Sequence, residues 1–291
     1  MPASRDSLPS VRMPPIPIDD PSDSRIAAYA AMRERDLIGR EGRFIVEGEV
    51  TLRVLLSEMA RFRPESLLLS HERVAPLADA IAALPASVPV YTASKAVMSA
   101  IAGFPIHRGV MAVGLRGAQV PFALPPSPAP ALVVGLVGLT NHDNVGGLFR
   151  NAAAFGADGV LLDPATCDPL YRKAIRVSAG AALIVPFARM EAEAMLHCAR
   201  ANDLVPLAFS PRGEEVLADL PPLPRTLLLL GTEGPGLSHG LMARTRTVRI
   251  PMAPGFDSLN VATAGALALH HLAMHHLAMQ ARDNPHPLSR P

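Results

Sequence analysis

The chain has 291 residues, 49% of them hydrophobic and 18% charged, with a formal net charge of +1. That length carries a sizeable core and one or two domains, and that balance excludes a disordered chain. No apolar run reaches the length that spans a bilayer, and a near-neutral net charge selects no partner by itself.

The opening stretch, MPASRDSLPSVRMPPIPIDD, is rich in Pro and Ser and has no apolar core. It reads as a disordered lead over residues 1–23 and not as a secretory signal. A helical segment follows from Ser24 to Arg35. A strand is predicted around Phe44 to Val46 and a helix from about Glu49. ESLLLS, VPVYTAS and GVMAVGL read as further short strands, with VAPLADAIAAL a helix between the first two. Strands alternating with helical patterns predict a small α/β domain over residues 24–116. The uncharged, Pro-rich stretch from Gly117 to Ala131 then reads as a semi-rigid linker and the domain boundary.

The second domain, residues 132–282, restarts with the buried strand LVVGLVGL. A helix from about Val145 closes at Gly156, and Asn144 stands in the N-cap position before it. GVLLD, IVPFAR, VPLAFS, TLLLL and TRTVRIPM are strands. RKAIRVSAGAAL is a helical or turn segment, EAMLHCARAN a helix, and SLNVATAGALALHHLAMHHLAMQ a long terminal helix before a tail at 283–291. The pattern predicts a mostly parallel sheet covered on both faces, with ligands at the carboxyl ends of its strands.

Side-chain chemistry narrows the function. Positive charge is almost all Arg, since Lys95 and Lys173 are the only lysines. Arg33, Arg35, Arg40 and Arg43 cluster in RERDLIGREGR, a pattern that fits phosphate contact or a solvated helix face. Cys167 and Cys198 have no metal-ligand spacing and read as reduced thiols of a cytoplasmic protein. The loop LLLLGTEGPGLS has a G-x-x-G-x-G spacing that matches neither the dinucleotide fingerprint nor a P-loop, and Glu233 within it would repel a phosphate. On residues alone it is either a strand-to-helix turn with an exposed Glu or a cradle for a neutral or cationic ligand.

Three segments of the second half stand out together: Asn144, Gly146 and Arg150; Gly231 through Ser238; and Ile250, Pro251, Met252 with Ser258 to Val261. In this order and spacing they resemble the three motifs of the SpoU-type RNA ribose methyltransferases, a branch of the knotted SPOUT class. The resemblance covers roughly residues 131 to 280. IHRGVMAVG in the first half is more weakly similar to that family's substrate-binding domain. Asn141-His142 departs from the Asp-Pro that many members carry, so no role is assigned to those two positions.

The resemblance implies an α/β fold with a knotted parallel-sheet catalytic domain behind a small α/β substrate-binding domain. It implies S-adenosylmethionine as cofactor, cradled around Gly231, Ile250 and Leu259 with Gly236 and Met252 beside them, and it implies no metal. The implied reaction is methylation of a ribose 2′-hydroxyl in tRNA or rRNA. Arg150 would act as phosphate clamp and charge stabiliser, because guanidinium does not deprotonate in proteins. Glu233 would orient Arg150, and Ser258 and Asn260 would fix the ribose or Arg150. Asn144, Arg40 and Arg43 would face the RNA, and the C-terminal domain would form a homodimer. HHLAMHH places His271 and His275 at helical spacing, but a third ligand is missing, so a packed or dimer-facing helix is the reading taken. The alternatives are a base-methylating relative of the same fold, a catalytically inactive RNA-binding relative, and a nucleotide-binding α/β enzyme, which the missing phosphate fingerprints disfavour.

Overall fold

The structure is a computed structural model describing residues 14–30, 37–39, 41–118, 123–232 and 234–283. The chain divides into two compact units, one of residues 1–118 with 170–172, the other of residues 119–169 with 173–291.

The first unit holds a five-stranded mixed sheet in the order β1-β4-β3-β5-β2. Its strands are β1 (Ile16–Pro17), β2 (Arg43–Glu47), β3 (Arg63–Ser70), β4 (Val90–Ala93) and β5 (Val110–Leu115). β5 runs antiparallel to both β2 and β3, and the remaining pairs are parallel. Helices α1 (Glu49–Leu55), α2 (His71–Val74), α3 (Ala78–Ala82) and α4 (Lys95–Ala102) connect them. α4 was not predicted, although its sequence carries both punctuation marks of a helix. Ser94 caps it by accepting from the Val97 amide at 3.2 Å, and Gly103 ends it in the left-handed conformation. The core gathers Ile26, Tyr29, Leu68, Met98 and Met111. Within it the Tyr29 and Ser66 hydroxyls lie 2.8 Å apart, so the buried phenol is satisfied.

Two expectations for this unit need correction. Residues 14–23 are not a disordered lead: β1 pairs Ile16 with Tyr91 in parallel, and Ile18 is buried. Two apolar residues suffice to add an edge strand, where the prolines that masked it need donate no ladder bond. The helix expected from Ser24 to Arg35 is a short 3₁₀ turn, Ser24–Tyr29, and residues 31–36 lie outside the described ones.

The second unit holds a seven-stranded sheet in the order β10-β12-β9-β11-β6-β7-β8. Its strands are β6 (Ala131–Val137), β7 (Gly159–Leu162), β8 (Phe187–Arg189), β9 (Val205–Phe209), β10 (Glu215–Val216), β11 (Arg225–Gly231) and β12 (Arg246–Arg249). Every pairing is parallel. The helices are α5 (His142–Ala154), α6 (Arg172–Val177), α7 (Ala192–Ala201), α8 (His239–Met242) and α9 (Val261–Asp283). Continuous apolar strands belong to a sheet covered on both faces, and the packing bears this out. Val133, Leu227 and Leu229 pack with Met195 and Leu196 of α7, while Leu230 meets Leu148 of α5 around Gly265 of α9.

Part of the predicted linker is packed, not free. Leu124 lies against the core of the second unit. The buried Arg225 guanidinium donates to the Asn202 carbonyl at 2.9 and 3.0 Å, to the Pro125 carbonyl at 3.0 Å and to the Ala129 carbonyl. One side chain thus ties this stretch, the end of α7 and the start of β11 together. A buried charge is tolerated here because backbone oxygens surround it.

Candidate active site

The site forms at the carboxyl edge of the parallel sheet, where such sheets bind ligands. β11 ends at Gly231, and the chain turns back at once, with Thr232 bridged to Gly236. A Cβ on Gly231 would lie 2.6 Å from both the Gly236 carbonyl carbon and the Leu237 nitrogen. Only hydrogen fits there. Gly234 and Gly236 take φ of +97° and +69°, which L side chains rarely adopt. Ser238 then caps α8 by accepting from the Leu241 amide. Glu233 lies outside the described residues.

The other wall comes from the chain beyond β12. Asn260 caps α9, its Oδ1 accepting from the amides of Ala262 at 2.9 Å and Thr263 at 3.2 Å. Between these loops lies a cavity of about 390 Å³. All five residues predicted to hold a cofactor line it: Gly231, Gly236, Ile250, Met252 and Leu259. Ser258 and Asn260 line it as well. Phe209, Ser210 and Pro211 are also part of the lining and were missed by sequence reasoning. Their signal was their place at the carboxyl end of β9, beside β11.

The first motif is built differently from the expectation. Asn141, not Asn144, caps α5, accepting from the Asp143 amide at 2.8 Å, and the helix starts at His142. The apolar pattern begins only at Val145 because the first turn is polar, and that displaced the predicted boundary. Asn144 is buried, and its Oδ1 accepts from Asn260 Nδ2 at 2.8 Å. The side chain assigned to RNA therefore links the first motif to the third.

Close packing supports that link. Asn151 Nδ2 donates to the Ala262 carbonyl at 2.9 Å. A Cβ on Gly265 would lie 2.4 Å from Leu148, and one on Gly147 would lie 3.0 Å from the Ala262 Cβ. Small residues let α5 and α9 approach this closely. The turn before α5 is pinned from behind by Asp163, whose Oδ1 accepts from the Gly138 amide at 3.0 Å and the Thr166 hydroxyl at 2.6 Å. Thr166 Oγ1 in turn accepts from the Leu139 amide at 3.1 Å. Asp163 ends GVLLD, a strand terminus legible in the sequence.

Arg150 lies two turns into α5, exposed, and makes no hydrogen bond or ion pair with a described residue. It is not part of the cavity lining. Arg43 belongs to the other unit and is already engaged. Its guanidinium grips Glu65 through two bonds of 2.7 and 2.6 Å and reaches Glu41 at 3.1 Å. Two carboxylates against one guanidinium leave this spot without net positive charge for RNA. Arg40 lies outside the described residues. Burial, with the nearby Asp168 charge, pushes the Cys167 thiol up to about 11, and burial raises Cys198 as well, which disfavours the thiolate form of both.

Among the described residues no helix is long and apolar enough to cross a membrane, and no group of three or more His, Cys, Asp or Glu could hold a metal ion. Of the HHLAMHH stretch, His270 packs edge-on against Phe155 with centroids 5.6 Å apart, and the side chains of His275 and His276 lie outside the described set.

An all-parallel sheet with a glycine-flanked cavity at its carboxyl edge defines a ligand-binding α/β fold, and similarity to known proteins narrows it. Residues 131–270 match the SpoU rRNA Methylase family. An uncharacterized tRNA/rRNA methyltransferase of Mycobacterium tuberculosis is 37% identical over 262 residues, 86% of this chain and 89% of that protein. Among solved structures, an RNA 2′-O ribose methyltransferase superposes with a TM-score of 0.76 at 25% identity, over 90% of this chain and 100% of its own. The fold is shared with an AdoMet-bound rRNA methyltransferase from Sinorhizobium meliloti, TM-score 0.77 at 22% identity, over 89% and 97% of the two chains. The chain belongs to the SpoU rRNA methylase family.

Proposed function

We propose that the protein transfers a methyl group from S-adenosylmethionine to a ribose 2′-hydroxyl of structured tRNA or rRNA. The observation that carries this is the cavity walled by the Gly231–Gly236 turn and the Ile250–Asn260 loop. Its lining combines three glycines with apolar side chains such as Ile250 and Met252 and has no Lys or Arg, and Gly231 leaves no room for a side chain. Such walls suit a ligand that hydrogen-bonds to backbone and carries no phosphate. S-adenosylmethionine fits that description, and its sulfonium methyl supplies the electrophile.

The protein's own residues do the rest. Gly231, Gly236, Ile250, Met252 and Leu259 hold the donor. Asn260 caps α9 and donates to Asn144, which keeps the third motif in register with the helix bearing Arg150. The exposed Arg150 guanidinium clamps a substrate phosphate and stabilises negative charge developing on the attacking oxygen. Ser258 and Glu233 remain assigned to the substrate side, with Glu233 orienting Arg150. The knotted path of the chain around this sheet belongs to the same reading. So does a cytoplasmic homodimer through the second unit; the exposed Phe256, Leu267 and Met274 support the dimer.

The test is incubation with methyl-labelled S-adenosylmethionine and total tRNA or rRNA, then mass spectrometry of the nucleosides. A 2′-O-methylated nucleoside is expected. A base-methylated product would move the protein to the base-methylating alternative. RNA binding with no labelled product at all would leave the inactive-relative reading.

A further inference from the structure

Arg43 is outnumbered by Glu65 and Glu41, yet the first unit offers a more exposed cationic surface elsewhere. An open groove of about 570 Å³ is lined by Arg53, Arg73, Lys95, Arg108, His107 and Val50, with Glu49 and Glu72. Its cations come from four separate places in the chain: α1, α2, the start of α4, and the turn before β5. Glu49, Glu72 and Asp79 pair with Arg53, Arg73 and Lys95, so the net positive charge of the groove is that of Arg108, with His107 beside it.

The carboxylates hold the three paired cations in place and leave Arg108 uncompensated. Glu49 receives Arg53 at 3.0 Å and also pairs with Arg73. Asp79 receives Arg53 at 2.8 Å, and Glu72 pairs with Lys95. The stems are thus held in a fixed arrangement, while all these ion pairs stay partly exposed and exchange readily with solvent or ligand anions.

Arg108 is different. It makes no hydrogen bond or ion pair with a described residue, and its guanidinium extends over the Gly48 turn, 3.7 Å from where a Gly48 Cβ would stand. The turn that carries it is closely packed. Ser70 N donates to the Gly109 carbonyl at 2.8 Å, and a Cβ on Gly109, at φ +64°, would strike Ser70 Oγ at 2.1 Å. Val50 adds an exposed apolar surface at 59% exposure on the same groove. A strand of RNA presents these features together: a run of phosphates for the cations and a ribose or base face for Val50.

We infer that this groove, and not the Arg40–Arg43 stretch, is where the first unit grips the phosphodiester backbone of the RNA substrate, with Arg108 and Lys95 in direct phosphate contact. The inference rests on the proposed RNA methylation, and its test separates the two. Full-length Arg108→Gln/Lys95→Gln protein, wild type and Arg43→Gln protein are each titrated with total tRNA and total rRNA over a series of salt concentrations. Each phosphate contact removed lowers the salt slope by about one.

The double variant is expected to lose about two units of slope and to bind on the order of tenfold more weakly on every RNA tested. Its melting temperature and its S-adenosylmethionine affinity are expected to stay unchanged. Arg43→Gln should leave the slope alone. If the double variant keeps wild-type affinity and slope, or if Arg43→Gln carries the loss instead, the groove is not the RNA grip. Wild type that binds no RNA would refute the methylation reading itself.

Discussion

Replacing Gly231 by Ala tests the cavity at its tightest point. The added Cβ would stand 2.6 Å from the Gly236 carbonyl carbon and the Leu237 nitrogen, and 3.0 Å from Leu237 Cγ. Carbon atoms rest at about 3.5–4.0 Å, so the returning strand must move by about 1 Å. The obstacle is main chain, so no rotamer change relieves it. Overpacking of this kind costs about 1–3 kcal/mol. Since the displaced strand is the cavity wall, that strain falls on the binding-competent arrangement. At about 1.4 kcal/mol per tenfold, S-adenosylmethionine should bind about 5- to 150-fold more weakly. The assay is calorimetric titration with the methyl donor and with its demethylated product, alongside thermal melting. Gly240→Ala is the control: that site sits in α8 with nothing within 4 Å of the new Cβ, and a helical Gly→Ala change is neutral or stabilising by up to about 1 kcal/mol. Gly231→Ala protein that bound both ligands within twofold of wild type would refute the argument, because the turn would then not be the wall of the ligand site.

Other substitutions divide structural from chemical roles. Arg150→Ala should lower turnover about 10²–10³-fold while donor affinity and melting stay unchanged, since the side chain is exposed and outside the cavity lining; single-turnover rates and calorimetry check both halves. Asn260→Asp keeps the acceptor that caps α9 but loses the donor to Asn144, so its activity should fall more than its stability. Asn260→Ala should also lose the cap, worth about 0.5–2 kcal/mol by thermal or urea unfolding. Arg225→Lys cannot reach the Asn202, Pro125 and Ala129 carbonyls together, and since hydrogen bonds to a charged group contribute about 1.5–3 kcal/mol each, several kcal/mol of stability should disappear in urea unfolding.

Much of this was legible because it is local or periodic. The apolar runs of β6 and β11 carry no alternation, which fixes their place inside a doubly covered sheet. The glycines after β11 and the Ile250–Asn260 stretch were assigned to the cofactor through their resemblance to family motifs, and they do line one cavity. Three features escaped for physical reasons. The Arg43–Glu65 pair joins residues far apart in the chain, and nothing in either neighbourhood announces it. The Asn144–Asn260 bond spans still more sequence, so Asn144 was read from its apolar neighbours as a cap. β1 hides among prolines because an edge strand requires so little of its sequence.

The strand order has a consequence for how the protein comes into being. β11 lies between β6 and β9, bonded to β6 along its whole length from Arg225 opposite Ala131 to Gly231 opposite Val137, and to β9 from Thr226 opposite Val205. During synthesis β6 and β9 both emerge before the strand that must insert between them. The nascent chain therefore exposes two apolar parallel edges until β11 arrives, the kind of surface that invites mispairing and slows folding. The same late segment brings Gly231, β12 and Asn260. The ribosome thus delivers the closing of the sheet and the walls of the cavity together, so a chain that can bind its ligand is one whose sheet has already closed.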